Sequence, residues 1–424
     1  MNTETLATTA REAVASACAE VRDAQDSDHV DGVRPALVAR PADTGQVAEV
    51  LRAAAAHRLS VVPRGRGTKM SWGTPPATAD VLLDVSSLDQ VLDHAAGDLI
   101  VVAQAGTTLA EVQRTVGAAG QRLALDETVP GASVGGTLSS NTSGPRRLAT
   151  GTARDLLIGI SVVRADGVVA KAGGRVVKNV AGYDLGKLLI GAGGTLAVVT
   201  EAVFRLHPLP DDHRWVSVPA TDPAQAQAFV QAVLHSQAVP AAIEVDWPAD
   251  GPGSVSVLLE GREEGVAGRT STVRNLLGET SAESTEAPAG GATYPWDLGA
   301  SGDRRSTALK LTFALSGLSD VLAAAGSCAA DGAPVTLRGS AGTGVAYAAL
   351  SPDVPVEAVG AALDRLRRTC TRHGGSVVVV DAPAAVKAAV DVWGPVPALD
   401  LMRRVKDQFD PDHRLAPGRY VGGI

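Results

Sequence analysis

Three glycine-rich stretches carry the groups best able to do chemistry. The first is Arg64-Gly65-Arg66-Gly67-Thr68, directly after a short apolar run. Backbone of this kind can turn several N–H groups to one side and form an anion nest, and the two Arg side chains would add charge nearby. The second runs from Pro130 to Gly144 and has no apolar periodicity. Gly135-Gly136 would let backbone approach a ligand closely, while Thr137, Ser140, Asn141 and Ser143 offer hydrogen-bonding groups. The third runs from Gly174 to Leu185 and is followed by Gly191-Ala192-Gly193-Gly194-Thr195. Alone, each of the first two loops reads as a turn. Together in one α/β domain they suggest the seat of a large phosphorylated cofactor.

Other chemistries match less well. Gly131-Ala132-Ser133-Val134-Gly135 has the form of a hydrolase nucleophile elbow, which needs a strand before it and a helix after it. Pro130 precedes it and Gly136-Thr137-Leu138-Ser139-Ser140-Asn141 is a poor helix start. Gly182 to Lys187 is one residue short of a P-loop, and Leu188 stands where Ser or Thr is required. No G-x-G-x-x-G follows a strand, so a Rossmann site is not expected. The eight histidines show no metal-ligand spacing, and His207 and His213 read as structural or exposed. Cys18, Cys328 and Cys370 are too few and too scattered for a disulfide scaffold, a four-cysteine zinc site or an iron–sulfur cluster; they read as incidental thiols.

The elements that must position these loops alternate along the first half. Asp43 and Thr44 cap a predicted helix with apolar positions Val47, Val50, Leu51, Ala54 and Ala55. Strands are expected at Leu59 to Pro63, Val81 to Val85 and Leu99 to Gln104, and a capping box at Thr108-Leu109-Ala110-Glu111 starts another helix. Leu156 to Arg164 and Val168 to Ala170 flank the hairpin signal Ala165-Asp166-Gly167, and Leu196 to Leu206 is a further strand. His207-Pro208-Leu209-Pro210 closes the domain. Beyond it, two βαββα passes suggest an antiparallel sheet with helices on one face. Gly278 to Thr293 between them reads as a mobile linker.

With 424 residues, the chain has room for two or three domains. Its 38 basic and 46 acidic residues leave a net charge of −8. No basic stripe runs through it, which disfavours nucleic acid as a partner. The N-terminal stretch does not resemble a signal peptide, and no apolar run approaches the length of a membrane span. A soluble cytoplasmic protein is expected, with any association at the inner membrane made through partners.

The runs Val177 to Leu185 and Gly194-Thr195-Leu196, with the ending Lys406-Asp407-Gln408-Phe409-Asp410-Pro411 and Pro417-Gly418-Arg419, resemble the vanillyl-alcohol-oxidase (PCMH-type) FAD-binding family. Within it the chain is most similar to the FAD-binding subunits of bacterial glycolate oxidase complexes. The resemblance implies an α+β, two-domain fold. A helical segment (1–29) would precede the FAD domain (30–210). An antiparallel ferredoxin-like cap (211–395, linker about 278–293) and a C-terminal segment returning to the FAD domain (396–424) would follow. It also implies that Pro63, Arg64, Gly65, Arg66, Gly67 and Thr68 hold the FAD pyrophosphate. Pro130, Gly131, Gly135, Gly136, Thr137, Ser140, Asn141 and Gly144 would line the rest of the cleft. Gly194 and Val199 would meet the adenine end through backbone, and Arg419 would lie near the flavin.

Three departures from the family pattern shape the functional expectation. Thr68 stands at the end of the loop where covalent members place a flavin-attaching His, so FAD is expected to be non-covalent. The His-x-Gly-Asp-Gly-Asn-x-His metal motif of catalytic relatives is missing; His373-Gly374-Gly375 only echoes it. Val177 stands where those relatives tend to carry Arg, and an apolar side chain cannot clamp a carboxylate. The expected role is the FAD-binding subunit of a glycolate-oxidase-like complex. The chemistry would be hydride transfer from a small 2-hydroxy acid to flavin N5, with positive charge supplied near N1 and O2. A sister FAD-containing catalytic subunit and an iron–sulfur subunit are the implied partners. The alternative is a self-sufficient D-2-hydroxy-acid dehydrogenase. Lys178 and Tyr183 are the candidates nearest the chemistry; Lys178 capping a carbonyl or pairing with Asp184, and Tyr183 packing, are the structural alternatives.

Overall fold

A computed structural model describes residues 6–175 and 184–424. The chain divides into two units. Unit 1 comprises residues 1–142, 152–209 and 396–424, and unit 2 comprises 143–151 and 210–395.

Unit 1 is built on two main sheets. In the first, the strands run in the order Glu20–Asp23, Leu37–Arg40, Val81–Asp84, Val61–Arg64. The first pair is antiparallel and the other two pairings are parallel. The second sheet is wholly antiparallel, in the order Val91–Ala95, Ile100–Gln104, Ala197–Arg205, Leu157–Arg164, Val169–Gly173. The caps predicted from sequence form. The Asp43 side chain accepts from the Gln46 N–H at 2.8 Å at the start of helix Thr44–Ala56. Thr108 accepts from Glu111 N–H at 3.2 Å before helix Leu109–Gly117. Each satisfies a donor that the first turn of a helix leaves open.

Unit 2 is an eight-stranded antiparallel sheet, in the order Ala282–Ser284, Asp212–Ala220, Gly253–Gly261, Ala242–Trp247, Thr336–Ser340, Val345–Leu350, Thr307–Thr312, Ser376–Asp381. Side chains alternate across it. Val216, Val257, Ile243, Val245, Leu337, Ala346, Leu311 and Val377 point to one face and form a core with helices Pro223–Leu234, Glu263–Leu277, Leu318–Cys328 and Val356–Arg372. The opposite face carries Ser217, Ser256, Glu244, Asp246, Arg338, Ser340, Tyr347, Lys310 and Thr312.

Three parts of the organisation differ from the reading of the sequence. The N-terminal segment is part of unit 1: Ala10 and Val14 are buried in its core, and Glu20–Asp23 pairs with Leu37–Arg40. Residues 143–151, read as FAD domain, pack with unit 2. There Arg146 Nε donates to Glu260 Oε1 at 2.8 Å, and Leu148 packs against the core. The stretch read as a linker contributes Ala282–Ser284, which extends the sheet beside Trp215–Ser217. All three of its residues are exposed, so an edge strand here needs no apolar pattern.

Candidate cofactor site

Strand Val61–Arg64 delivers the first glycine loop, and an ion network anchors that strand. Arg64 donates to Asp28 Oδ1 at 2.9 Å and to Asp84 Oδ2 at 2.8 Å, while Arg22 donates to Asp28 Oδ2 at 2.6 Å. Asp28 is buried, and the Arg22 guanidinium holds its carboxyl well below the usual carboxylate range. Arg66 is likewise committed, with Nε on the Gly106 carbonyl at 2.9 Å and Nη2 3.3 Å from Asp89. Both Arg side chains expected to add charge to the nest are thus engaged by neighbouring groups, Arg64 by two acids and Arg66 by a carbonyl and one acid.

The cation at this loop is Lys69, which the sequence reading missed. Its Nζ lies 3.4 Å from Thr68 Oγ1 and 6.0 Å from the centre of the Trp72 ring. It makes no ion pair among the described residues. Removal from water pushes its pKa down to about 8, against a weaker opposing pull from Glu127. The turn that carries it is held by Arg419, whose Nη2 donates to the Met70 and Trp72 carbonyls at 2.8 Å each. In the sequence Lys69 is one of three basic residues in this loop, and nothing local sets it apart from Arg64 and Arg66.

The second glycine stretch contains a helix where the sequence suggested none. Val134–Ser140 is helical, and the Ser133 hydroxyl caps it by accepting from Gly136 N–H at 3.3 Å. A helix does follow the G-x-S-x-G serine, so that objection to a hydrolase does not hold. Another one does: Ser133 is buried and serves as the cap. Gly65 packs directly on this cap, since a Cβ there would sit 2.3 Å from Ser133 Oγ. Gly135 packs on Ala105, where a Cβ would lie 2.9 Å from the alanine methyl. A Cβ on Gly136 would lie 3.8 Å from Lys69 Nζ, so the two loops meet at the cation.

The other candidate residues sort by position. Gly191 N–H donates to the Leu138 carbonyl and Gly193 N–H to that of Ser139, each at 2.8 Å, which lays the third glycine segment along the helix. Gly194 has φ +78° and packs on Pro63. Ser140 Oγ donates to the Gly136 carbonyl at 2.6 Å. Pro130 and Gly131 are exposed, and Gly131 N–H donates to Glu127. Val199 is buried beside a β-bulge in strand Ala197–Arg205. Gly144 packs with unit 2. Lys178, Tyr183 and Val177 lie outside the described residues. Asp184, the suggested partner of Lys178, is 3.3 Å from Lys187. His373 is bound to Asp320 at 2.8 Å and packs on Gly317, an arrangement with a structural purpose. All three cysteines are free and buried, and burial raises their pKa values, to about 12 for Cys370.

These residues fit a dinucleotide. Lys69 is a desolvated cation suited to a phosphate. Thr137 Oγ1 and Asn141 Oδ1 are buried and have no hydrogen-bond partner among the described residues. Buried polar atoms are rarely left unpaired, and a polar ligand would complete these two.

Comparison with known proteins agrees. Residues 35–173 match the family model described as an FAD binding domain. The chain is 32% identical over 216 residues to the glycolate oxidase subunit GlcD of Bacillus subtilis, covering 50% of this chain and 46% of that protein. It is 31% identical over 208 residues to a D-lactate dehydrogenase of Archaeoglobus fulgidus, covering 49% and 46%. It is 33% identical over 191 residues to a D-2-hydroxyglutarate dehydrogenase of Xanthomonas citri, covering 44% and 40%. The matches thus span less than half the length of these relatives. Two solved structures share the fold at 16% identity, each with a TM-score of 0.69. One is an alkyldihydroxyacetonephosphate synthase, with 92% of this chain and 78% of that one covered; the other is a chitooligosaccharide oxidase, with 96% and 97% covered. Residues 35–173 are thus similar to the FAD binding domain of flavoproteins.

Proposed function

We propose that the chain is an FAD-dependent oxidoreductase acting on a small 2-hydroxy acid, as the FAD-binding subunit of a glycolate-oxidase-like complex. The observation that carries the cofactor reading is the meeting of Lys69, the Gly65 loop and the Gly135-Gly136 helix start within a matched FAD binding domain. The substrate class rests on the names of three relatives. Glycolate, D-lactate and D-2-hydroxyglutarate all carry a hydroxyl on the carbon next to a carboxylate.

Bound FAD supplies a two-electron acceptor for the hydride on that carbon. Lys69 and the loop N–H groups bind the pyrophosphate. Thr137 and Asn141 offer a hydroxyl and an amide oxygen to the cofactor's polar groups. Thr68 has a hydroxyl where covalent relatives place an imidazole, which supports non-covalent attachment. Electrons leave through a partner, because three scattered, buried thiols cannot ligate a cluster. A sister FAD-containing subunit and an iron–sulfur subunit complete the assembly. Among the described residues, no helix is long and apolar enough to cross a membrane. A cytoplasmic complex meeting the inner membrane through its partners is part of this reading.

The second reading, a self-sufficient D-2-hydroxy-acid dehydrogenase, draws on the two relatives named as dehydrogenases. The test is anaerobic mixing of the isolated holoprotein with glycolate, D-lactate and D-2-hydroxyglutarate while flavin absorbance is followed. The subunit reading expects slow or no bleaching alone and faster reduction with the sister subunit. Rapid, complete bleaching of the isolated chain by any one acid replaces it with the second reading.

A further inference from the structure

We propose that Arg147, Lys310 and Tyr347 form a carboxylate-binding site on the polar face of the sheet in unit 2, opposite its core helices. The identity of its ligand as a 2-hydroxy acid rests on the function proposed above.

The site follows from strand register. Tyr347 stands directly opposite Lys310 on one neighbouring strand and opposite Arg338 on the other. Directly paired residues of an antiparallel ladder project to the same face, with Cβ atoms about 5 Å apart. Arg338 is already committed, with its Nε 3.0 Å from Asp246 and its Nη1 3.2 Å from Thr293 Oγ1. The Lys310 ammonium has no hydrogen bond or ion pair among the described residues.

Arg147 enters from helix Arg147–Thr150, which is tied to unit 2 by the Arg146–Glu260 ion pair. Its Nη1 is buried without a hydrogen-bond partner. The Tyr347 hydroxyl is within hydrogen-bonding reach of Tyr294 and Arg147. Glu244 is the acid felt by Tyr347. Lys310 feels only the like charge of Arg147 besides its own desolvation, and together these push its pKa down to about 8. Tyr294 stacks on Trp296 at 4.5 Å between ring centres and meets the Tyr347 ring edge-on at 4.6 Å, a rigid apolar wall beside the cations.

Two neighbouring cations, of which Lys310 has no acidic partner among the described residues, are unfavourable in a partly dry site. One carboxylate resolves this. Its two oxygens accept from the Arg147 fork and the Lys310 ammonium, and the Tyr347 hydroxyl adds a third donor. The aromatic wall limits the guest to a small acid.

The experiment is calorimetric titration of the full-length FAD-loaded protein with oxalate, a carboxylate that has no C–H bond to oxidise. Inorganic phosphate is titrated in parallel. One oxalate per chain is expected, with binding weakened at least about tenfold by Lys310→Met and largely kept by Lys310→Arg, at unchanged flavin content. Arg147→Met carries the same expectation and serves if Lys310→Met does not fold. No oxalate binding to the wild type, wild-type affinity in both charge-removing variants, or binding of phosphate alone overturns the proposal. If 2-hydroxy acids bind with the same Lys310 dependence but never reduce flavin, with or without the sister subunit, the site stands and the proposed function falls.

Discussion

Replacing Lys69 by Met should have opposite effects on the empty fold and on FAD binding. The lysine's pKa moves from an ordinary 10.5 to about 8, chiefly through desolvation. That shift corresponds to about 3 kcal/mol, reduced to about 1–3 kcal/mol by the partial exposure of the side chain. Because the folded-state pKa is depressed, the penalty is full below about pH 8 and is relieved as pH rises toward 10.5. Apo-protein carrying Lys69→Met should therefore be more stable than wild type at pH 7, and the difference should shrink by pH 10. Lys310 carries a similar depression, so the variant still gains stability over this range, by about half as much as wild type. FAD binding changes the other way. Losing one charge-assisted hydrogen bond to a phosphate costs about 1.5–3 kcal/mol, or about 10- to 100-fold in Kd. Urea unfolding of the apo-proteins at pH 7 and pH 10, with fluorescence titration by FAD at pH 7, measures both. An unchanged Kd, or an apo-variant less stable than wild type at pH 7, refutes the assignment of Lys69 to the phosphates.

Gly65→Ala should destabilise unit 1 by about 1–3 kcal/mol, because its methyl would collide with the Ser133 hydroxyl 2.3 Å away. Ser133→Ala alone should cost about 1 kcal/mol as a lost cap, yet it should partly rescue Gly65→Ala, a coupling that a double-mutant cycle reads. Asp410→Ala should cost about 3–5 kcal/mol in a melting experiment, since it strands the fully buried Lys406, whose Nζ lies 2.7 Å from Asp410 and also donates to the Thr195 and Leu415 carbonyls. Gly136→Val should lower FAD content by crowding Ser133 and Lys69, and equal flavin content in variant and wild type would return this stretch to a mere turn.

Local rules made much of unit 1 legible. Asp43, Thr108 and the hairpin signal at Ala165-Asp166-Gly167 act through neighbours within a few residues, so their elements could be read directly. Helix Val134–Ser140 could not, because its stability comes from Ser133 and from packing that tolerates only glycine against Ala105. Intrinsic propensity disfavours Gly-Gly in a helix, and tertiary contact overrides it here. The commitment of Arg64 and Arg66 to acids was equally hidden. Asp28 is 36 residues from Arg64 in the chain, and nothing local reveals that the charge is already spent. Lys69 was passed over for the complementary reason: what distinguishes it is the lack of an acidic partner, which only the fold displays. The placement of residues 143–151 with unit 2 depends on Arg146 finding Glu260, a contact over 114 residues.

The most direct test of the account is the flavin itself. Purified protein is precipitated with acid, and the supernatant and pellet are examined by absorbance and mass spectrometry. The account predicts about one FAD per chain, recovered intact in the supernatant, and a colourless polypeptide. Flavin retained on the polypeptide, FMN in place of FAD, or a protein that neither carries nor takes up FAD would contradict it.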